Sequence, residues 1–309
     1  MNYNIIIPVY NNSESIKLLF TEIEFYFNNF NKNFEHQLEL IFVDDGSLDF
    51  SIKEIETLKS TKHIKIKLIA LKSNYGQLFA ILAGLKNSSG DKLIVLSADL
   101  QDDPKYLKIF FEKLLSGSGL VIGIRKKTND NLFRKLTSWI HHSLIRIDME
   151  NYPKGGFDFY GFDRNILENI LSMDNHFMSQ TDLIKLVKHY DYFFYEKKKR
   201  THGSSQYNFF SRFELSISQI ITSTRWPSRF TMLFGILMFS TALISIIILI
   251  IDFLFNTRPL IGWRSILSIV IFFFGVILII LGLIIEYLYR IFIILRKPNI
   301  FLIKFKKNL

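Results

Sequence analysis

The sequence predicts an α/β domain, a mainly parallel sheet with helices on both faces, followed by a two-helix transmembrane hairpin. Two observations carry this reading. Short β-rich runs alternate with helical stretches over the N-terminal part, and two runs of spanning length, one uncharged and one with a single charge, follow near the C-terminus. Of the 309 residues, 49% are hydrophobic, which is enough apolar surface for both a packed sheet and a membrane segment.

The elements follow in order. IIIPVY (5–10), LELIFVD (38–44), IKIKLIA (64–70), KLIVLSA (92–98) and GLVIGI (119–124) read as strands, being rich in β-branched residues. The stretches 13–30, 49–60, 76–88 and 104–116 have helical spacing. Their start signals are Asn12 or Ser13 before Glu14, Asp49 with Ser51, and Pro104 in a first turn. A βαβ series of this kind binds ligands beyond the carboxyl ends of its strands. Polar residues gather there: Tyr10, Asn11 and Asn12 after the first strand, Asp44 to Ser47 after the second, Asn74 to Gln77 after the third, and Asp99 to Asp103 after the fourth.

Residues 230–255 carry one charge, Asp252, and residues 265–285 carry none, so each run can cross a bilayer. The short link between them holds Pro259 and Gly262 for a turn and Trp263 as an interface anchor. A buried soluble hairpin is the competing account, but nothing left in the chain is large enough to cover two such helices. Arg258 and Arg264 lie in the short link, while Arg225 and Arg229 precede the hairpin and six cations follow it, which favours cytoplasmic termini on a multi-pass protein of the cytoplasmic membrane. The start MNYNIIIPVYNN lacks the basic region and long apolar core of a signal peptide, so the first 200 residues are expected in the cytosol. The expected divisions are a domain at 1–205, an amphipathic interface segment at 206–229 with Phe209, Phe210 and Phe213, the hairpin at 230–289, and a basic cytoplasmic tail at 290–309.

Composition excludes several classes. The chain has no cysteine, so disulfides, thiolate zinc sites, iron–sulfur clusters and cysteine nucleophiles are absent. Neither Gly-x-Gly-x-x-Gly nor a Walker loop occurs, against a dinucleotide fold or a P-loop nucleotidase. The net charge of +10 is concentrated in the last 23 residues, where Arg290, Arg296, Lys297, Lys304, Lys306 and Lys307 meet no acid. That pattern points to anionic lipid and away from a nucleic acid partner.

Two clusters carry chemistry. VDDGS (43–47) puts two carboxylates and a turn at a strand end, either as an Asx-type turn or for recognition of a nucleotide base or ribose. SADLQDDP (97–104) offers several hard oxygen ligands before a helix start, either as an acidic helix N-terminus or for Mg²⁺ or Mn²⁺ with a diphosphate. His141 and His142 lie on a helical stretch without a ligand pattern and read as solvated or packed side chains.

IIIPVYNN, VDDGS, NYGQLFAILAGL, ADLQDDP, GIR, GGFDFYGFDR and RTHGSSQY stand in the order and spacing of family 2 glycosyltransferases. Over residues 3–230 the chain resembles the polyisoprenyl-phosphate glycosyltransferases of that family, which implies a GT-A-like domain. By this resemblance Pro8, Tyr10, Asn12, Asp44, Asp45 and Asp99 would contact a nucleotide-sugar donor, and Asp99 with Gln101 would hold Mg²⁺ or Mn²⁺. Arg125, Arg134 and Arg200 would meet the phosphate of a polyisoprenyl lipid, a role that suits the bidentate guanidinium. Asp158 would orient the acceptor, and Asp182 resembles the base of sugar-polymerising relatives. The chain departs from the pattern at Ser97, where the metal motif usually opens with Asp, and at Gln206, where a lysine is usual.

The reaction implied is inverting transfer from a nucleotide-sugar, expected to be a UDP-sugar, to a polyisoprenyl phosphate, expected to be undecaprenyl phosphate. A processive polysaccharide synthase is a second reading, weakened because Arg225 and Trp226 follow Thr222 where a Gln-x-x-Arg-Trp motif needs Gln. A non-catalytic nucleotide-sugar-binding membrane protein is a third, prompted by Ser97. A lone hairpin can also pair with copies of itself, which makes a homo-oligomer a further expectation.

Overall fold

The computed structural model describes residues 2–32, 36–126, 143, 145–146, 149, 151–153, 157–172, 180–198, 226–255, 262–295 and 301–309. Two compact units emerge, one of residues 1–142, 151–206 and 297–309, the other of residues 143–150 and 207–296.

The first unit is built on one sheet. Its strands are β1 (Asn2–Val9), β2 (Gln37–Asp44), β3 (Ile64–Leu71), β4 (Lys92–Val95), β5 (Leu120–Arg125), β6 (Phe159–Asp163), β7 (Asp191–Tyr195) and β8 (Ile303–Asn308). They lie in the order β7-β5-β6-β4-β1-β2-β3-β8. β1 runs parallel to both β2 and β4, β2 to β3, and β5 to β7. β6 is antiparallel to β4 and β5, and β8 is antiparallel to β3. The strands expected from sequence are therefore present and the sheet is mainly parallel.

Period-2 alternation splits the β1 side chains between two layers. Tyr3, Ile5, Ile7 and Val9 join the core with α1 (Ser13–Phe30), α2 (Ser51–Thr57) and α4 (Leu107–Leu115). In α1 the buried residues Ser15, Ile16, Leu19, Ile23 and Phe27 recur at helical spacing. Tyr3, Phe27, Phe30 and Phe111 form an aromatic cluster, with Tyr3 and Phe111 centroids 4.9 Å apart and Phe27 and Phe111 5.6 Å apart. The opposite face is covered by α3 (Gln77–Lys86), whose Gly84 lets it approach closely. A Cβ at Gly84 would fall 2.6 Å from Ile6 Cγ2, so this helix needs a glycine there to seat on the sheet.

Three strands were not read from the sequence. β6 inserts between β4 and β5, so β5 is not the direct continuation of the βαβ series. β7 extends the sheet beyond β5. The third, β8, falls in the stretch expected to be a basic tail. There Ile303 and Phe305 are half-buried while Lys304 and Lys306 are exposed, a strand alternation that places lysines on the sheet edge. Leu302 O accepts from Lys72 N at 2.8 Å, Leu309 N donates to Ile66 O at 2.9 Å, and Lys307 pairs with Glu56 at 2.9 Å.

After β6 come α5 (Arg164–Ser172) and α6 (Gln180–Leu186). The second unit holds α7 (Trp226–Phe255) and α8 (Gly262–Leu295). Within them Ser228–Ile251 and Ser265–Tyr289 are long and apolar enough to cross a membrane, with mean hydropathies of 2.8 and 3.2. The helices pack antiparallel. Ser228 Oγ donates to Glu286 Oε2 at 2.9 Å, Ser245 and Ser268 hydroxyls meet at 2.7 Å, and Gly235, Gly275 and Gly282 bring the backbones together between them. Pro259, Arg258, Arg134, Arg200, His141, His142, Gln206, Arg225 and residues 206–225 of the expected amphipathic segment lie outside the described residues.

Candidate active site

The topological switch lies at β1, which is flanked by β2 on one side and β4 on the other. Ligands bind in the crevice outside the carboxyl ends at such a point. The loops after β1, β2, β3 and β4 converge there.

The β1 and β2 loops are laced by hydrogen bonds. Asn11 N donates to Ser47 Oγ at 3.0 Å, and Leu48 N returns a bond to Asn11 Oδ1 at 2.8 Å. Asn12 N donates to Ser51 Oγ at 2.8 Å, and Asn12 Oδ1 accepts from Tyr10 N at 3.0 Å. Asn11 sits at φ 53°, a left-handed position that asparagine tolerates better than most residues. Pro8 and Tyr10 are both half-buried beside this junction.

Asp44 and Asp45 share a motif but not a role. Asp44 is 1% exposed; its Oδ2 accepts from Ser47 N at 3.1 Å, and its buried Oδ1 has no hydrogen-bond partner among the described residues. A buried carboxylate oxygen without a partner is costly, and burial pushes its carboxyl above the usual range. A donor group from a ligand would satisfy it. Asp45 already spends both oxygens, accepting from Tyr75 N and Gly76 N at 2.8 Å each. It thus fixes the loop after β3 against the site. Gly46 completes the turn at φ 73°, where a Cβ would fall 2.7 Å from the Ser73 carbonyl carbon.

After β4 the chain turns through Leu100 at φ 57°. Asp99 Oδ1 accepts from Ser97 Oγ at 2.7 Å and from Gln101 N at 3.1 Å. Ser97, where the resemblance leads one to expect an Asp, is therefore a donor to Asp99 instead of a second charge. Asp102 is 1% exposed and faces Tyr195, whose hydroxyl donates to its Oδ1 at 2.8 Å; burial raises the carboxyl of Asp102 and the phenol of Tyr195. Asp103 is held below the usual range despite its burial, by Lys105 N (3.0 Å) and by the Lys198 ammonium (3.0 Å).

The segment after β7 closes this side. Lys198 N donates to Gln101 O at 2.9 Å and Lys126 N to Tyr195 O at 2.8 Å. Lys197 lies 3.9 Å from Asp102 Oδ1 and 3.8 Å from Asp158 Oδ2. Arg125 ends β5 opposite Tyr195 in the strand register and is exposed. Asp182 begins α6 and pairs with Lys185 at 3.8 Å. The structure thus gathers Asp99, Gln101, Asp158 and Arg125 around the end of β4 and β7. Asn11, Ser47 and Asp102 were read among the polar residues at the strand ends but given no individual role, and Tyr195 and Lys197 were not read as site residues. Lys197 opens a basic run, KKKR (197–200), that is visible in the sequence as charge, but its contact with Asp102 spans 95 residues.

Among the described residues no group of three or more His, Cys, Asp or Glu is placed to enclose a metal. Asp99 offers a carboxylate beside Gln101, while Asp102 and Asp103 are engaged elsewhere. Such a donor set does not form an all-protein cage. It fits Mg²⁺ or Mn²⁺ that arrives on a diphosphate, because such ions take few protein ligands when substrate phosphates fill the rest.

Residues 4–186 match the family described as Glycosyl transferase family 2, and the chain belongs to that family. The resemblance read from its motifs is borne out. The SfII prophage-derived bactoprenol glucosyl transferase of Shigella flexneri is 27% identical over 316 residues, covering 98% of each chain. The undecaprenyl-phosphate 4-deoxy-4-formamido-L-arabinose transferase of Proteus mirabilis (strain HI4320) is 28% identical, covering 97% of this chain and 93% of its own. The solved structure of glucosyl-3-phosphoglycerate synthase from Mycobacterium tuberculosis with Mn²⁺, UDP and glucosyl-3-phosphoglycerate matches with a TM-score of 0.51 at 14% identity, over 72% of this chain and 78% of that one. This likeness shows the fold, which is GT-A-like.

Proposed function

We propose that this protein transfers a sugar, with inversion, from a UDP-sugar to a polyisoprenyl phosphate, undecaprenyl phosphate in a bacterial membrane. The observation that carries the reading is that a family 2 transferase site and two membrane-length helices lie on one chain. Full-length matches to enzymes named for bactoprenol and undecaprenyl phosphate support the same acceptor.

In this reading Asp44 accepts an N–H of the nucleotide base through its unfilled oxygen, with Pro8, Tyr10 and Asn12 beside it. Asp45 acts one step back by holding the β3 loop. Asp99 and Gln101 would hold a Mg²⁺ or Mn²⁺ that neutralises the leaving diphosphate. Arg125, Arg134 and Arg200 supply positive charge for the lipid phosphate, and Asp158 orients it. A phosphate oxygen attacks the anomeric carbon as the bond to the diphosphate breaks. The nucleophile is already ionised, so it needs little help from a base, and Asp182 is the candidate for what help there is. Positive charge on both flanks of the hairpin supports a topology with both termini and the site on the cytoplasmic side.

The test is transfer of radiolabelled sugar from a panel of UDP- and GDP-sugars into an organic-extractable lipid, using membranes that contain the protein with Mg²⁺, Mn²⁺ or chelator. Label in a mild-acid-labile lipid that depends on the divalent ion is expected. Absence of label with every donor, from a folded membrane-bound protein supplied with lipid phosphate, would overturn the reading in favour of a non-catalytic role.

A further inference from the structure

Lys197 is a cation built into the acidic side of the site. Its side chain is 15% exposed, and its ammonium lies 3.9 Å from Asp102 Oδ1 and 3.8 Å from Asp158 Oδ2. Both separations are ion-pair distances beyond hydrogen-bond length. An ammonium carries three N–H donors and no acceptor, so neither carboxylate fills them at this range. The two partners differ. Asp102 is buried and its Oδ1 already accepts from the Tyr195 hydroxyl, whereas Asp158 is 57% exposed.

The backbone around Lys197 is fixed. Lys198 N is tied to Gln101 O at 2.9 Å, and the Lys198 ammonium to Asp103 at 3.0 Å. Lys126 N binds Tyr195 O two residues before Lys197 at 2.8 Å. The side chain is thereby held against the turn that carries Asp99 and Gln101. A compact, largely desolvated cation whose donors are unfilled among the described residues, beside the turn that would meet phosphate, suits a phosphate oxygen.

We propose that Lys197 binds a phosphate oxygen of the substrate, exchanging its long ion pair with Asp158 for a direct N–H···O bond. This rests on the transferase reading above. The phosphate belongs either to the nucleotide diphosphate or to the lipid monophosphate, and the experiment separates the two.

The test measures binding to the detergent-solubilised full chain with chelator present, using UDP, GDP, the matching nucleosides and a short-chain polyprenyl monophosphate. Lys197→Gln should weaken binding of the phosphate-bearing ligand on the order of tenfold to a hundredfold while leaving nucleoside binding unchanged. Loss confined to the nucleotide assigns the donor diphosphate; loss confined to the lipid assigns the acceptor. Lys197→Arg should recover part of the affinity, because charge is kept. The double variant Lys197→Gln/Asp102→Asn removes both members of the buried pair and controls for folding. Restored phosphate affinity in that double variant would overturn the proposal, since Lys197 would then serve only to neutralise Asp102. Unchanged phosphate binding in Lys197→Gln, with the wild type binding normally, would also overturn it. A wild type that binds neither nucleotide nor lipid phosphate would instead overturn the transferase reading.

Discussion

The two halves of the site are held by different forces. At the ends of β1 and β2, short neutral and charge-assisted hydrogen bonds of 2.8–3.1 Å tie Asn11, Asn12, Ser47 and Ser51 together, and Asp45 is spent wholly on backbone N–H groups. At the ends of β4 and β7 the backbone is likewise tied, Lys198 N to Gln101 O at 2.9 Å, but Lys197 is joined to Asp102 and Asp158 by ion pairs of 3.8–3.9 Å. The first half is preformed, with one unfilled acceptor waiting at Asp44. In the second, the long ion pair between Lys197 and exposed Asp158 can be exchanged for one with a charged ligand, while the pair with buried Asp102 is kept. In the proposed reading, a preformed nucleotide side and a phosphate side with one exchangeable lysine would suit a transferase that must recognise one partner and then admit another.

The largest effect that would sharpen this contrast is expected from Asp99→Ala. Loss of the carboxylate beside Gln101 should reduce transfer by about a hundredfold or more while the thermal unfolding midpoint stays near that of the wild type. Unchanged turnover in that variant would remove the metal role assigned to Asp99. Next comes Asp45→Ala, which leaves the Tyr75 and Gly76 N–H groups without their acceptor. It should destabilise the protein by about 2–4 kcal/mol, read by denaturant unfolding of the solubilised chain. Little change in stability would show the β3 loop to be held by other means.

A smaller effect concerns pH. Burial raises the Asp44 carboxyl above its ordinary value. The ionised form is the acceptor, so nucleotide affinity should fall as pH drops through that raised value, at a higher pH than an ordinary aspartate would give. Asp44→Asn should bind weakly and lose that dependence. A wild-type affinity that stays flat across the acid range would break the assignment. Arg200→Ala should raise the requirement for lipid phosphate more than for the sugar nucleotide, and equal changes in both KM values would count against an acceptor role. The smallest effect is expected from Lys307→Ala. The pair with Glu56 is half-exposed, so its loss should cost about 0–1 kcal/mol, whereas deleting residues 302–309 uncovers the β3 edge and should cost more.

The part of the fold that was legible is the part with strong local period. β1 to β4 and α1 to α4 declare themselves because alternation and helical spacing reflect burial of one face at a time. β6 escaped notice because FYGFD is five residues long and is held by close packing, with Gly161 admitting Phe110 and Ile94. In β7, Tyr192 and Phe194 are exposed, so its aromatic run gave no polar face to read. β8 was masked by its charge, since its lysines looked like a lipid-binding tail and not like the outer row of an edge strand. The site followed the same division. Asp44, Asp45, Asp99 and Asp102 were visible because they lie at or just after strand ends in short acidic motifs, while the meeting of Asp102 with Tyr195 and Lys197 arises only through tertiary contact.

The central claim is that the acceptor is an ionised phosphate on a lipid. The most direct measurement compares label transfer to undecaprenyl phosphate and to undecaprenol, matched in chain length and detergent, from the same UDP-sugar. The account predicts label in the phosphate lipid and none above background in the alcohol, because only the phosphate supplies an ionised nucleophile and an anion for Arg125, Arg134 and Arg200. Equal transfer to the alcohol would contradict it.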